Sequence, residues 1–126
     1  MIQLDFVIDP VAKGRPRFGK RSVYTPKKTE NFENSIKKMA IDQYHKKPKV
    51  EPLGVIIDFY IKRPKSVSVK KRPYPVVKPD LDNLTKSLLD SLNGVLYKDD
   101  SQIIEIKVSK RYSDIGSIGL KLYVIK

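Results

Sequence analysis

The sequence has no cysteine among its 126 residues. That absence excludes a disulfide-stapled scaffold, a thiolate zinc or iron–sulfur site and a thiol nucleophile. A single histidine removes histidine-rich metal sites as well. No apolar run approaches the ~20 residues that span a bilayer. The opening Met-Ile-Gln-Leu-Asp-Phe alternates instead of presenting the apolar stretch of a signal peptide. A soluble cytoplasmic protein with no membrane partner is therefore expected. Acids are scarce, 14 Asp+Glu against 26 Lys+Arg, for a formal net charge of +12. Hydrophobic residues at 40% and aromatics at 9% allow a core and exclude a disordered chain. One domain over residues 1–126 is the expectation at this length.

Positive charge clusters instead of spreading. The stretch from Pro10 to Lys28 holds seven Lys/Arg and no acid, and that from Lys62 to Lys78 holds seven more, again without an acid. Both stretches are rich in Pro, Gly and Ser and read as long loops, which compact domains keep for function. Clustered positive charge on loops suits a polyanion such as nucleic acid. A merely solvated or ribosome-like basic surface is the plain alternative.

Between these loops the pattern is regular. Ile2, Leu4, Phe6 and Ile8 alternate, as do Val55, Ile57, Phe59 and Ile61; Ile104, Ile106 and Val108; and Ile118, Leu120, Leu122 and Val124. A period of two predicts four half-buried strands, the last two forming a hairpin around residues 113–117. Phe32, Ile36, Met39, Ala40 and Tyr44 predict a helix entered at Thr25-Pro26, running to about Lys46 and closed by Pro48. Leu81, Leu84, Leu88, Leu89 and Leu92 predict a second, with Gly94 where a left-handed C-terminal residue is wanted. The expected fold is α+β, a single four-stranded mixed sheet with helices packed on one face in the order β-α-β-α-β-β.

In so basic a chain, grouped acids need a reason, and they occur at Asp80-Leu81-Asp82-Asn83 and at Asp99-Asp100. Taken alone, the first group caps a helix and the second polarises a turn. Chain geometry links them: a helix from Asp82 to Gly94 advances ~18 Å, and the extended return to Asp100 covers ~20 Å. The return would bring at least three carboxylates together beside the helix N-terminus. Such crowding calls for a cation, and hard oxygen donors without His or Cys favour Mg²⁺ or Mn²⁺ over zinc. Asp100 shares parity with Ile104, Ile106 and Val108, so it is preferred to Asp99 as the inward-facing acid. Lys86, one turn after Asp82, is either an i,i+4 partner of Asp82 or Asp90 or a cation aimed at a phosphate.

At Lys78-Pro79-Asp80-Leu81-Asp82-Asn83-Leu84, Lys86, Leu89-Asp90-Ser91-Leu92-Asn93-Gly94 and Tyr97-Lys98-Asp99-Asp100-Ser101-Gln102-Ile103 the sequence resembles the RusA-type Holliday junction resolvases of bacteria and their phages. Lys13-Gly14-Arg15-Pro16-Arg17 resembles the basic loop of phage-type members. The resemblance implies a single RusA-like domain, a homodimeric Mg²⁺-dependent endonuclease that cuts four-way junction DNA in symmetric pairs during recombination and repair. Mn²⁺ is the expected substitute, with no small-molecule cofactor, in a bacterial cell or phage-infected host. It implies metal-binding roles for Asp80, Asp82 and Asp100 and a catalytic role for Lys86. The loops then contact DNA through Lys13, Arg15, Arg17, Lys20, Arg21, Lys70, Lys71, Arg72 and Lys78. Arg17, Phe18, Tyr24 and Tyr74 are planar groups that either stack at an opened branch point or anchor the loops. The competing class is a non-enzymatic basic adaptor that binds nucleic acid and uses its acids only as caps.

Overall fold

The alternation at Ile2, Leu4 and Phe6 forms strand β1 (Ile2–Phe6) in a computed structural model that describes residues 1–14, 17–18, 23–24 and 26–126. Within the first basic segment, β2 (Arg17–Phe18) and β3 (Val23–Tyr24) pair as a small antiparallel ribbon that periodicity does not reveal. Then follow α1 (Lys27–Gln43), β4 (Leu53–Lys62), α2 (Leu81–Ser91), β5 (Ile103–Ser113) and β6 (Ser117–Val124). The four longer strands make one mixed sheet, ordered β1-β6-β4-β5, with β4 parallel to β5 and antiparallel to β6. The expected α+β architecture and element order are thus present.

The two helices pack against each other, α1 beside β1 and α2 beside β5. Phe32, Ile36 and Ala40 of α1, Leu84 and Leu88 of α2 and Leu92 at its C-cap bury themselves against Leu4, Phe6, Val55, Ile57, Phe59, Ile118, Leu120 and Leu122. The strand periodicity of two and the helix periodicity of about 3.6 meet in this one layer. On the other side of the sheet, Ile56, Tyr60, Tyr123 and Ile125 are only half-buried, and Val7 is 71% exposed. Tyr123 covers part of that side itself: its ring lies so close over Gly54 that a Cβ there would collide with it, and its hydroxyl donates to Glu105 Oε2 at 2.9 Å.

The structure departs from expectation in three places. The last two strands do not form a hairpin, because β4 lies between them, with Lys62 opposite Ser113 on one side and Tyr60 opposite Ser117 on the other. Alternation fixes the face a residue takes but not its neighbour, and residues 114–116 carry the chain past the end of β4. Ile104 and Ile106 are not buried under the helices as alternation predicts; they are 62% and 51% exposed on an edge strand. Ile106 pairs with Val55 and keeps the core side, while a register shift at Leu53/Gly54 leaves Ile104 as an extra residue. Finally, α1 has Pro26 at its cap position instead of inside its first turn, and it ends at Gln43, where Tyr44 turns to extended backbone and donates its hydroxyl to Lys47 O at 2.9 Å. Thr25 lies outside the described residues.

Candidate active site

The helix α2 starts where its leucine stripe starts, and Asp80 occupies its N-cap without its side chain accepting a hydrogen bond from a helix N–H. Capping therefore does not account for the Asp80 carboxylate. Asp99 does act as a cap: it accepts from the Ser101 N–H at 3.0 Å and sits in a capping box with Gln102 at the start of a 3-10 turn, Asp100–Gln102. That hydrogen bond holds its carboxyl below the ordinary carboxylate value. Freed from this duty, Asp100 enters a cleft of about 550 Å³ together with Asp82 and Lys86. Leu81, Leu89, Ile106 and Val108 form the apolar part of its wall, so the exposed edge of β5 borders the acids.

Asp100 is raised above the ordinary carboxylate value, first by burial, then by the charges of Asp90 and Asp99 and a side-chain contact with Asp90, while Lys86 pulls it down. Lys86 stands 3.4 Å from Asp90 Oδ2, one helical turn on, and keeps 62% of its side chain exposed at the cleft. The chain's return is shorter than a fully extended path would give. Residues 92–97 are wound by hydrogen bonds from the Val95 and Leu96 N–H groups to Leu92 O and from the Gly94 N–H to Tyr97 O. Gly94 takes φ +78°, as the turn requires. Asp100 thus reaches the flank of α2 beside Asp90, and the cleft brings together Asp82, Lys86 and Asp100 but not the exposed Asp80.

Two tertiary contacts fix this geometry. The Tyr97 hydroxyl, fully buried, donates to Leu89 O at 2.6 Å. Burial, then the carboxylates of Asp100, Asp90 and Asp99, push its phenol far above the usual range, so it serves as a donor. Tyr97→Phe should lower stability by about 1 kcal/mol in a urea melt, since a buried acceptor loses its partner. From β5, the Lys110 ammonium donates to Val77 O and Pro79 O, both at 2.9 Å, and so holds the segment that leads into Asp80. No periodicity or motif marks Lys110, whereas Asp90 is signalled by its i+4 spacing from Lys86 and by its place in the Leu89–Gly94 motif.

The basic residues divide. Lys70, Lys71 and Lys78 are exposed, whereas Arg72 donates to the Tyr112 hydroxyl at 3.1 Å. Arg63 stacks 4.2 Å from the Tyr112 ring centroid and donates to carbonyls of Ser68, Arg72 and Pro73, giving the second basic loop its shape. Tyr74 is 59% exposed, with Arg111 5.7 Å from its ring centroid. Lys13 points inward, 2.8 Å from Glu33 Oε1 and 3.4 Å from Asp90 Oδ2. Arg15, Lys20 and Arg21 lie outside the described residues, as do the side chains of Arg17, Phe18 and Tyr24.

A family model described as Endodeoxyribonuclease RusA matches residues 8–123, both basic segments and the whole acidic cleft included. The chain belongs to the RusA endodeoxyribonuclease family. RusA membership implies an endodeoxyribonuclease that resolves Holliday junctions. The chain is also similar to the uncharacterized protein YqaN of Bacillus subtilis (strain 168), 36% identical over 119 residues that cover 84% of each chain. RusA-family nucleases are in general divalent-metal dependent. Among the described residues no three His, Asp or Glu side chains are gathered closely enough to hold an ion. The donor chemistry nonetheless fits a hard cation: Asp80 is not spent on capping, and Asp82 and Asp100 share a cleft in which the Asp100 charge is already disfavoured by its neighbours. Among those residues no helix is long and apolar enough to cross a membrane.

Proposed function

We propose that this protein, one domain over residues 1–126, hydrolyses phosphodiesters at four-way DNA junctions in recombination and repair, with Mg²⁺ held by Asp80, Asp82 and Asp100. The observation that carries this reading is the meeting of Asp82, Lys86 and Asp100 in one cleft of a strongly basic RusA-family chain. When bound, the ion supplies Lewis-acid polarisation of the phosphate and a more acidic water. Lys86, exposed at the cleft, offsets negative charge that grows on the phosphoryl oxygens. Asp82 and Asp100 would hold the ion beside the scissile phosphate, and the apolar wall from Leu81 to Val108 limits the water around it. Lys70, Lys71 and Lys78, with Arg15, Arg17, Lys20 and Arg21, contribute phosphate contacts that position the junction without reading its sequence.

One cleft makes one cut, and resolving a junction needs two cuts at symmetry-related positions, so the working unit is a homodimer. The half-covered sheet face with Ile56, Tyr60 and Ile125 supplies area for such pairing. The test is a synthetic four-way junction incubated with pure protein in Mg²⁺ or in EDTA. Paired, symmetric nicks in Mg²⁺ alone are expected. Tight binding without nicks in either buffer would instead favour the adaptor reading.

A further inference from the structure

Lys13 opens the first basic segment, where a phosphate contact is the obvious role, yet its ammonium is turned into the protein. It donates to Glu33 Oε1 of α1 at 2.8 Å and stands 3.4 Å from Asp90 Oδ2 of α2, with 22% of its side chain exposed. Its backbone is clamped too: the Lys13 N–H donates to Asn83 O at 3.1 Å, and the Gly14 N–H to Thr29 Oγ1 at 3.0 Å. A Cβ at Gly14 would meet Thr29 Oγ1 at 2.8 Å, so the chain lies tight against α1 at this point. Lys86 reaches the same Asp90 oxygen, also at 3.4 Å, from the exposed side. Two cations therefore share one carboxylate oxygen. The inner one is anchored by a second acid, and the outer one sits at the cleft.

We propose that Lys13 is a positioning residue of the site: by neutralising Asp90 it lets Lys86 leave that carboxylate for the substrate phosphate. The proposal rests on the nuclease reading given above. Without Lys13, Asp90 would keep Lys86 as its only cation among the described residues, and moving Lys86 to a phosphate would leave an unpaired carboxylate against Asp100. With Lys13 in place, Asp90 stays paired whichever way Lys86 points.

The test is a coupling cycle read in single-turnover junction cleavage with Mg²⁺ at saturating enzyme, alongside the salt dependence of junction binding. Lys13→Met should slow cleavage by about 10- to 100-fold, the range for groups that orient a site's reacting residues, while the salt slope stays unchanged. Adding Asp90→Asn to Lys13→Met should restore most of the rate, because no carboxylate is left to retain Lys86. If Lys13→Met does not fold, Asp90→Asn is compared with the double variant, and equal rates are expected since Lys13 then has no Asp90 charge to neutralise and keeps only its Glu33 partner. A salt slope reduced by about 0.9 with an unchanged rate would make Lys13 a phosphate contact and overturn the proposal. A double variant slower than both of its comparators would overturn it as well. A wild-type protein inert on the junction would overturn the nuclease reading and this proposal with it; an active one without rescue overturns only this proposal.

Discussion

Asp82→Asn is expected to suppress Mg²⁺-dependent junction cleavage by on the order of 10²- to 10³-fold, the scale of removing one charge-stabilising contact from a transition state. Junction binding should hold or tighten, because the substitution removes a negative charge from a cleft that receives phosphates. Asp82 is exposed in the first turn of α2, so the loss cannot be assigned to a disrupted core. Gel-shift affinity and cleavage rate on the same junction separate the two effects. A normal rate in Mg²⁺ would remove Asp82 from the site.

Asp100→Asn and Asp99→Asn should part company, although the two residues are neighbours in sequence. Asp99 is occupied by its hydrogen bond from the Ser101 N–H, and asparagine retains an acceptor there, so cleavage should change little. Asp100 is in the cleft with Asp82, and its amide should cost as much rate as Asp82→Asn. The folded-state effect runs the other way. The Asp100 carboxyl is raised by burial, Asp90 and Asp99, so its ionised form opposes folding at neutral pH, and protonation on lowering the pH relieves that cost. In EDTA, Asp100→Asn should therefore melt no lower than wild type, and its melting temperature should rise less than that of wild type when the pH is lowered toward the carboxylate range. A variant that is both inactive and clearly less stable in EDTA would point to a packing role for Asp100.

Much of this was legible in the residues. The leucine stripe from Leu81 to Leu92 sets α2, and its spacing alone puts Asp82, Lys86 and Asp90 at successive i,i+4 positions along one side of the helix. That Asp100 and not Asp99 enters the cleft has a different cause than strand parity: the chain is in a 3-10 turn at that point, and Asp99 becomes its cap. Lys13 was misleading. The charged residues that follow it through Lys28 are all basic, and nothing local tells that Glu33, twenty positions away on α1, will draw it inward. Lys110 and the insertion of β4 between β5 and β6 are likewise products of tertiary pairing, to which a period of two is blind.

The place of β6 has a consequence for how the molecule comes into being. Among the described strands Ser117–Val124 is the last to be made, yet it lies inside the sheet, between β1 and β4, and is the one described strand that pairs with β1. Until those residues have left the ribosome, β1 lacks this partner and the sheet that backs α2 is incomplete. A nascent chain thus carries Asp82 and Asp100 without the frame that holds them together. Folding must wait for a pairing between the two ends of the described chain, the kind of distant contact that slows folding.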